Sequence, residues 1–208
     1  MDPGCCEPRS RLEGDHVGFE TSLAGNKSYV FPNSRLIADF YAEEVNATVY
    51  FPDFFGGEVI TAEMMDNPKT RAAFDTVAFM ERHSKTIRFP EILKCATALK
   101  KQYEKVGAIG FCYGGWAVFQ LAARGRNLLH CVSTAHPSFI DKQEILSLGV
   151  PTQILAPEHD HHLTPELKNY CNLSHGYATR YDKSDKYQKA SFERAKRSGV
   201  NWFNFSLH

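Results

Sequence analysis

Glu104-Lys105-Val106-Gly107-Ala108-Ile109-Gly110-Phe111-Cys112-Tyr113-Gly114-Gly115-Trp116 is the stretch on which the reading of this chain turns. Val106–Phe111 is a short apolar run of the kind that forms a buried strand. From Gly114 to Arg124 the pattern is helical, with Gly125 as its stop. Between them lies G-x-C-x-G-G. A strand that becomes a helix within so few residues must turn sharply, and Gly110 and Gly114 are expected where backbone crowds both sides of Cys112. The turn lifts the cysteine sulfur above the sheet, at the amino end of a helix whose dipole favours a thiolate. The N–H of Tyr113 then serves as a donor to a developing oxyanion.

On either side, short apolar runs alternate with helical patterns. Residues 1–25, rich in Gly, Pro and charge, read as an irregular lead-in, and 26–208 as one domain. Ser28–Phe31 is a possible strand, and Pro32-Asn33 opens a helix on which Leu36, Ile37, Phe40 and Tyr41 recur at helical spacing. Ala47–Phe51 reads as a buried strand closed by Pro52. Helices are expected over 68–82 and 91–104, the second with Ile92, Cys95, Ala96, Leu99 and Tyr103 on one face. Leu129–Thr134 and Thr152–Ala156 are further strands. Thr164-Pro165-Glu166 looks like a helix start, with the helix continuing to 171, and a last helix runs from about Ser184 to Trp202 or beyond. Strands alternating with helices predict an α/β fold: a mostly parallel sheet flanked by helices, its site at the carboxyl ends of the strands.

Composition narrows the function. Lys plus Arg equals Asp plus Glu, 24 against 24, which removes the basic footprint of a nucleic-acid binder. No run approaches the ~18 apolar residues of a membrane span. The first fifteen residues hold no apolar stretch of the secretory kind, so the expected compartment is the cytoplasm. The six cysteines lack C-x-x-C spacing and read as free thiols. No glycine-rich loop is placed to cradle a phosphate, so no nucleotide cofactor is expected. In Glu158-His159-Asp160-His161-His162, two histidines share one face of an extended segment. With no second ligand cluster, a solvated loop is the better reading and no metal is expected. Arg71 and His83 read as surface residues, Trp116 and Phe119 as core, and His136 either as a site-lining residue or as part of a structural turn.

The strand–cysteine–helix junction matches the nucleophile elbow of α/β-hydrolases, with Cys in place of Ser. Such an elbow requires an acid and then a histidine later in the chain. The strand Thr152–Ala156 leads into Pro157-Glu158-His159-Asp160, making Asp160 the expected acid and Glu158 the fallback. His175, in the glycine-flanked loop Ser174-His175-Gly176, is the expected base.

GFCYGG at 110–115, AHPSF at 135–139 and SHGYATR at 174–180 together resemble the dienelactone hydrolase family in its fungal form. The pair Cys5-Cys6, RLIADFYAEE at 35–44 and FPDFFGGE at 51–58 fit the same resemblance. The family implies an α/β-hydrolase fold and a triad falling on Cys112, Asp160 and His175. It also implies small-molecule lactone or ester substrates opened through a thioester, and Arg180 as a holder of a substrate carboxylate. Two stretches are shorter than the family pattern. Tyr29-Val30 runs directly into Phe31-Pro32-Asn33, where the family has a strand and a loop bearing a second oxyanion donor and an acid near the resting cysteine. Asn169-Tyr170-Cys171 runs almost straight into Asn172-Leu173-Ser174-His175, where a further strand is expected. These shortfalls sustain a second reading, a catalytically impaired relative that binds a partner or senses oxidants through Cys112.

Overall fold

A computed structural model describes residues 15, 17, 22–23, 26–27, 32–58, 60, 67–160 and 170–208. The chain falls into two compact units, Met1–Ala98 and Leu99–His208. The expected strand at 28–31, the helix start at 164–166, His161, His162 and the Cys5-Cys6 pair lie outside the described residues.

The first unit is mainly helical. A two-residue antiparallel pair, β1 (Ser22–Leu23) and β2 (Asn26–Lys27), precedes α1 (Pro32–Glu44). On α1, Ile37 and Tyr41 are buried, as their spacing of four predicts. The strand expected over Ala47–Phe51 does not form. Among the described residues no strand pairs with this segment, and Val49 and Phe51 stay 37% and 39% exposed, so neither a ladder nor deep burial of those side chains favours an extended strand. The single helix expected over 68–82 is two, α2 (Pro68–Ala73) and α3 (Thr76–Arg82). Asp75 divides them because its side chain accepts from Ala78 N at 2.9 Å and so caps the second.

The next helix, α4 (Lys85–Gln102), starts six residues earlier than predicted and carries Pro90 inside it. Proline removes one intrahelical donor there, while Ser84 O accepts from both Ile87 N and Arg88 N and secures the first turn. His83, just before α4, is the larger correction: it is 1% exposed rather than on the surface. Its Nε2 lies 2.8 Å from Glu58 Oε2, Arg88 Nε donates to its Nδ1 at 3.0 Å, and the rings of Phe55 and Phe79 lie against it. Partners at both nitrogens let an imidazole be buried at modest cost.

The second unit is the α/β part. β3 (Gly107–Phe111), β4 (Cys131–Ala135) and β5 (Thr152–Leu155) form a parallel sheet in that order. Phe111 pairs with Ala135 and Ala135 with Leu155. These three pack with Leu173, Tyr177, Ala178 and Ala195 in one apolar cluster. Ala195 belongs to α7 (Lys186–Leu207), which covers that face of the sheet. Its packing is close: a Cβ on Gly107 would lie 2.9 Å from Phe203 Cε1. The other face carries α5 (Tyr113–Leu121), where Trp116 and Phe119 are buried as expected. α5 ends three residues short of its predicted limit, and Gly125 (φ 83°) lies in the turn beyond it.

A short helix, α6 (Lys142–Leu146), is closed by an Asp141–Glu144 capping box, and Glu144 also accepts from Trp116 Nε1 at 3.1 Å. After Ala156 the chain re-enters a strand, β6 (Pro157–His159), which pairs in parallel with β7 (Tyr170–Ser174). Tyr170 and Cys171, expected at the end of a helix, are therefore the start of a strand. The strand thought lost before His175 is present. A parallel partner in β6 supplies the ladder that local sequence pattern could not reveal. No helix among the described residues is long and apolar enough to cross a membrane.

Candidate active site

β3 ends at Phe111 and α5 begins at Tyr113, so Cys112 alone makes the turn. It does so at φ 52°, ψ −118°, a conformation that costs a non-glycine residue on the order of 1–3 kcal/mol and is found chiefly at functional sites. Cys112 N donates to Ala135 O, and Cys112 O accepts from Gly115 N at 2.9 Å and Ser138 N at 2.9 Å. The glycine requirements differ from those expected. A Cβ on Gly110 would lie 2.1 Å from Gly114 O, so residue 110 must be glycine. A Cβ on Gly114 would meet nothing within 4 Å, because it is the carbonyl of residue 114, not its α-carbon, that crowds the strand. Gly115 is the second required position, with Pro137 Cβ at 2.5 Å and Thr134 Oγ1 at 2.6 Å from where its Cβ would stand.

Asp160 and His175 meet below this turn. Asp160 follows β6, His175 follows β7, and the pairing of those strands aligns their ends. His175 Nδ1 lies 2.8 Å from Asp160 Oδ2, and both side chains are sealed from solvent. Glu158 sits elsewhere, half-exposed and 3.9 Å from the exposed His159. The His-rich segment therefore divides, with Asp160 turned inward and His159 outward. Burial works to lower the His175 pKa. Hydrogen bonds with Asp160 and with Cys112, and the charges of both, outweigh it and hold the imidazole at about 9.

Two residues from the AHPSF segment join the group. Ser138 Oγ is 3.4 Å from Cys112 Sγ and 3.4 Å from His175 Nε2. Its place in the site was not anticipated. The available signal was position: a buried hydroxyl just past the carboxyl end of a central parallel strand. His136, at φ 41°, is buried with its ring edge-on to His175, centroids 4.7 Å apart. Tyr113, the first residue of α5, packs its ring on Trp116 and Phe139.

Arg180 closes the loop that follows His175. Its N–H donates to Gly176 O, and its guanidinium lies flat over Gly176, whose added Cβ would be 2.9–3.2 Å from it. Arg180 Nε is buried without a hydrogen-bond partner among the described residues. Among those residues, no group of three His, Cys, Asp or Glu is arranged to hold a metal. The arrangement thus offers an acid–imidazole–thiol sequence, a helix start beside it and a cation on the adjoining loop.

A profile of the dienelactone hydrolase family matches residues 25–166, well over half the chain. The chain belongs to the dienelactone hydrolase family. Its α/β fold is that of the family's α/β-hydrolases in reduced form, and the hydrolase pyvD of Aspergillus violaceofuscus is 25% identical over 83% of this chain and 74% of its own. Dienlactone hydrolase 2 of Gibberella moniliformis is 24% identical, covering 97% and 93%. The human carboxymethylenebutenolidase homologue is 26% identical, covering 97% and 96% over 244 aligned positions. This dienelactone hydrolase relative has 208 residues, so at least 36 of those 244 positions face a gap in it. β7 is present in the shorter chain. The other short stretch, before Asn33, borders residues 28–31 and so lies outside the described residues.

Proposed function

We propose that this chain hydrolyses small lactones or esters through Cys112, by way of a thioester. The observation that carries the reading is the sealed Asp160–His175 pair, joined through the Ser138 hydroxyl to Cys112 at the start of α5. With Nδ1–H donated to Asp160, His175 takes the thiol proton at Nε2, and its raised pKa lets the pair rest as imidazolium and thiolate. The sulfur attacks the carbonyl carbon, a C–S bond forms, and the displaced electron pair moves to oxygen. The Tyr113 N–H and the amino end of α5 oppose that charge. Collapse expels the alkoxide, which takes the proton from His175 Nε2 and leaves the thioester. His175 then deprotonates a water that attacks the thioester. The acid is released and the thiolate returns. Arg180 suits a substrate that carries a carboxylate beside the reacting carbonyl.

The test is hydrolysis of p-nitrophenyl acetate by the wild type and by C112A, with intact-mass detection of the acetylated enzyme. The expected result is an acetyl adduct on Cys112 and at least a 10⁴-fold loss of turnover in C112A. Equal turnover by C112A overturns the reading. Absence of wild-type turnover, with reversible peroxide oxidation of Cys112, replaces it with a redox sensor.

A further inference from the structure

We infer that Ser138 is a positioning residue that bridges Cys112 and His175, carrying the thiol proton to the ring and then holding the thiolate. The inference rests on the reading of Cys112 as nucleophile. Ser138 Oγ stands equally far, 3.4 Å, from Cys112 Sγ and His175 Nε2, and the side chain is buried. Those two atoms are its hydroxyl's only partners among the described residues. A separation of 3.4 Å is a full contact for sulfur and a long one for oxygen and nitrogen. Catalytic hydrogen bonds are commonly long at rest and tighten when substrate is bound.

The turn that presents this hydroxyl is built with unusual expense. His136 at φ 41° and Phe139 at φ 60° flank it, both non-glycine residues in the left-handed region. His136 N is tied to Leu155 O at 3.0 Å, and Ser138 N to Cys112 O at 2.9 Å. Residue 138 is thus fixed to the elbow by its backbone, and the side chain follows. Strain of this kind persists only where the surroundings enforce it.

A hydroxyl suits both protonation states of the pair. Before transfer, Cys112 S–H donates to Ser138 Oγ, and Ser138 O–H donates to the bare Nε2. In the transfer, the S–H and the old O–H bonds break while a new O–H and an Nε2–H bond form. Ser138 ends as it began, with one hydrogen. After transfer the direction reverses: Nε2–H donates to Oγ, and O–H donates to the thiolate. Asp160 keeps its hold on Nδ1–H throughout. Because Cys112 and His175 flank the same hydroxyl, water can take its place when it is removed, so loss of Ser138 slows the enzyme without stopping it.

The test is the pH dependence of Cys112 alkylation by iodoacetamide, mapped by peptide mass, in wild type, S138A, S138G and S138T. S138A and S138G delete the hydroxyl while keeping the backbone anchor to Cys112 O. S138T restores it. A hydrogen bond to a charged group is worth about tenfold or more. In S138A and S138G the alkylation midpoint is expected to rise by about one pH unit and kcat/KM on p-nitrophenyl acetate to fall about tenfold, with S138T close to wild type. Unchanged midpoints in S138A and S138G, or an equal shift in S138T, overturn the inference. This outcome is distinct from failure of the functional reading: alkylation needs no turnover, whereas that reading stands or falls with C112A.

Discussion

The two units of this chain each bury a histidine against a carboxylate, and the two sites behave in opposite ways. His83 has Glu58 at one nitrogen and Arg88 at the other. Arg88 only donates, so Nδ1 must accept and Nε2 must carry the hydrogen given to Glu58. Both nitrogens are committed to fixed partners. His175 has Asp160 at Nδ1, but at Nε2 it meets Cys112 and the Ser138 hydroxyl, groups that give and take protons. Burial and a carboxylate are common to both. The partner at the second nitrogen makes one imidazole a latch and suits the other to the proposed role of base.

The sharpest way to break that comparison is to delete each ring. H175A is expected to lower kcat/KM for an activated ester by about 10⁴-fold. H83A is expected to leave it within about threefold but to cost roughly 2–4 kcal/mol in urea unfolding, since Glu58 and Arg88 lose their shared partner. A loss of turnover in H83A as large as that in H175A erases the distinction.

Stability against pH sharpens it further, because the two sites titrate on opposite sides of neutrality. The His175 pKa is raised from 6.5 to about 9. Its contribution is therefore complete below pH 6.5 and lost as pH rises through 9, with a magnitude on the order of 3 kcal/mol. Hydrogen bonds from Arg82 and His83 hold the Glu58 carboxyl down at about 2. Its contribution is present above the ordinary carboxylate range and lost as pH falls toward 2. Melting temperatures across pH should show both flanks, with H175A flattening the alkaline one and E58Q the acid one. A smaller contrast is expected among the thiols. Burial pushes the Cys95 and Cys131 thiols up, so near pH 7 iodoacetamide should label Cys112 at least tenfold faster than either.

Much of the site was legible because its parts are local. The elbow spans nine consecutive residues, and its strand, turn and helix each leave a mark in the sequence over 107–115. Asp160 and His175 follow strand ends, where parallel sheets keep their chemistry. The glycine assignment at 114 failed because backbone carbonyls, invisible to residue type, decide which α-carbon is crowded. The strand at 47–51 failed because pairing depends on a neighbour and not on the β propensity of Thr, Val and Tyr.

The sequence by itself therefore determined the alternation of strand and helix, the position of the cysteine-bearing turn and the candidate nucleophile, acid and base. Only the tertiary structure decided who touches whom. Ser138 reaches Cys112 across 26 residues and His175 across 37, and His83 reaches Glu58 across 25. Hydrogen bonds act over about 3 Å, and at such separations along the chain that proximity is set by sheet register and helix packing, which no local pattern of residues encodes.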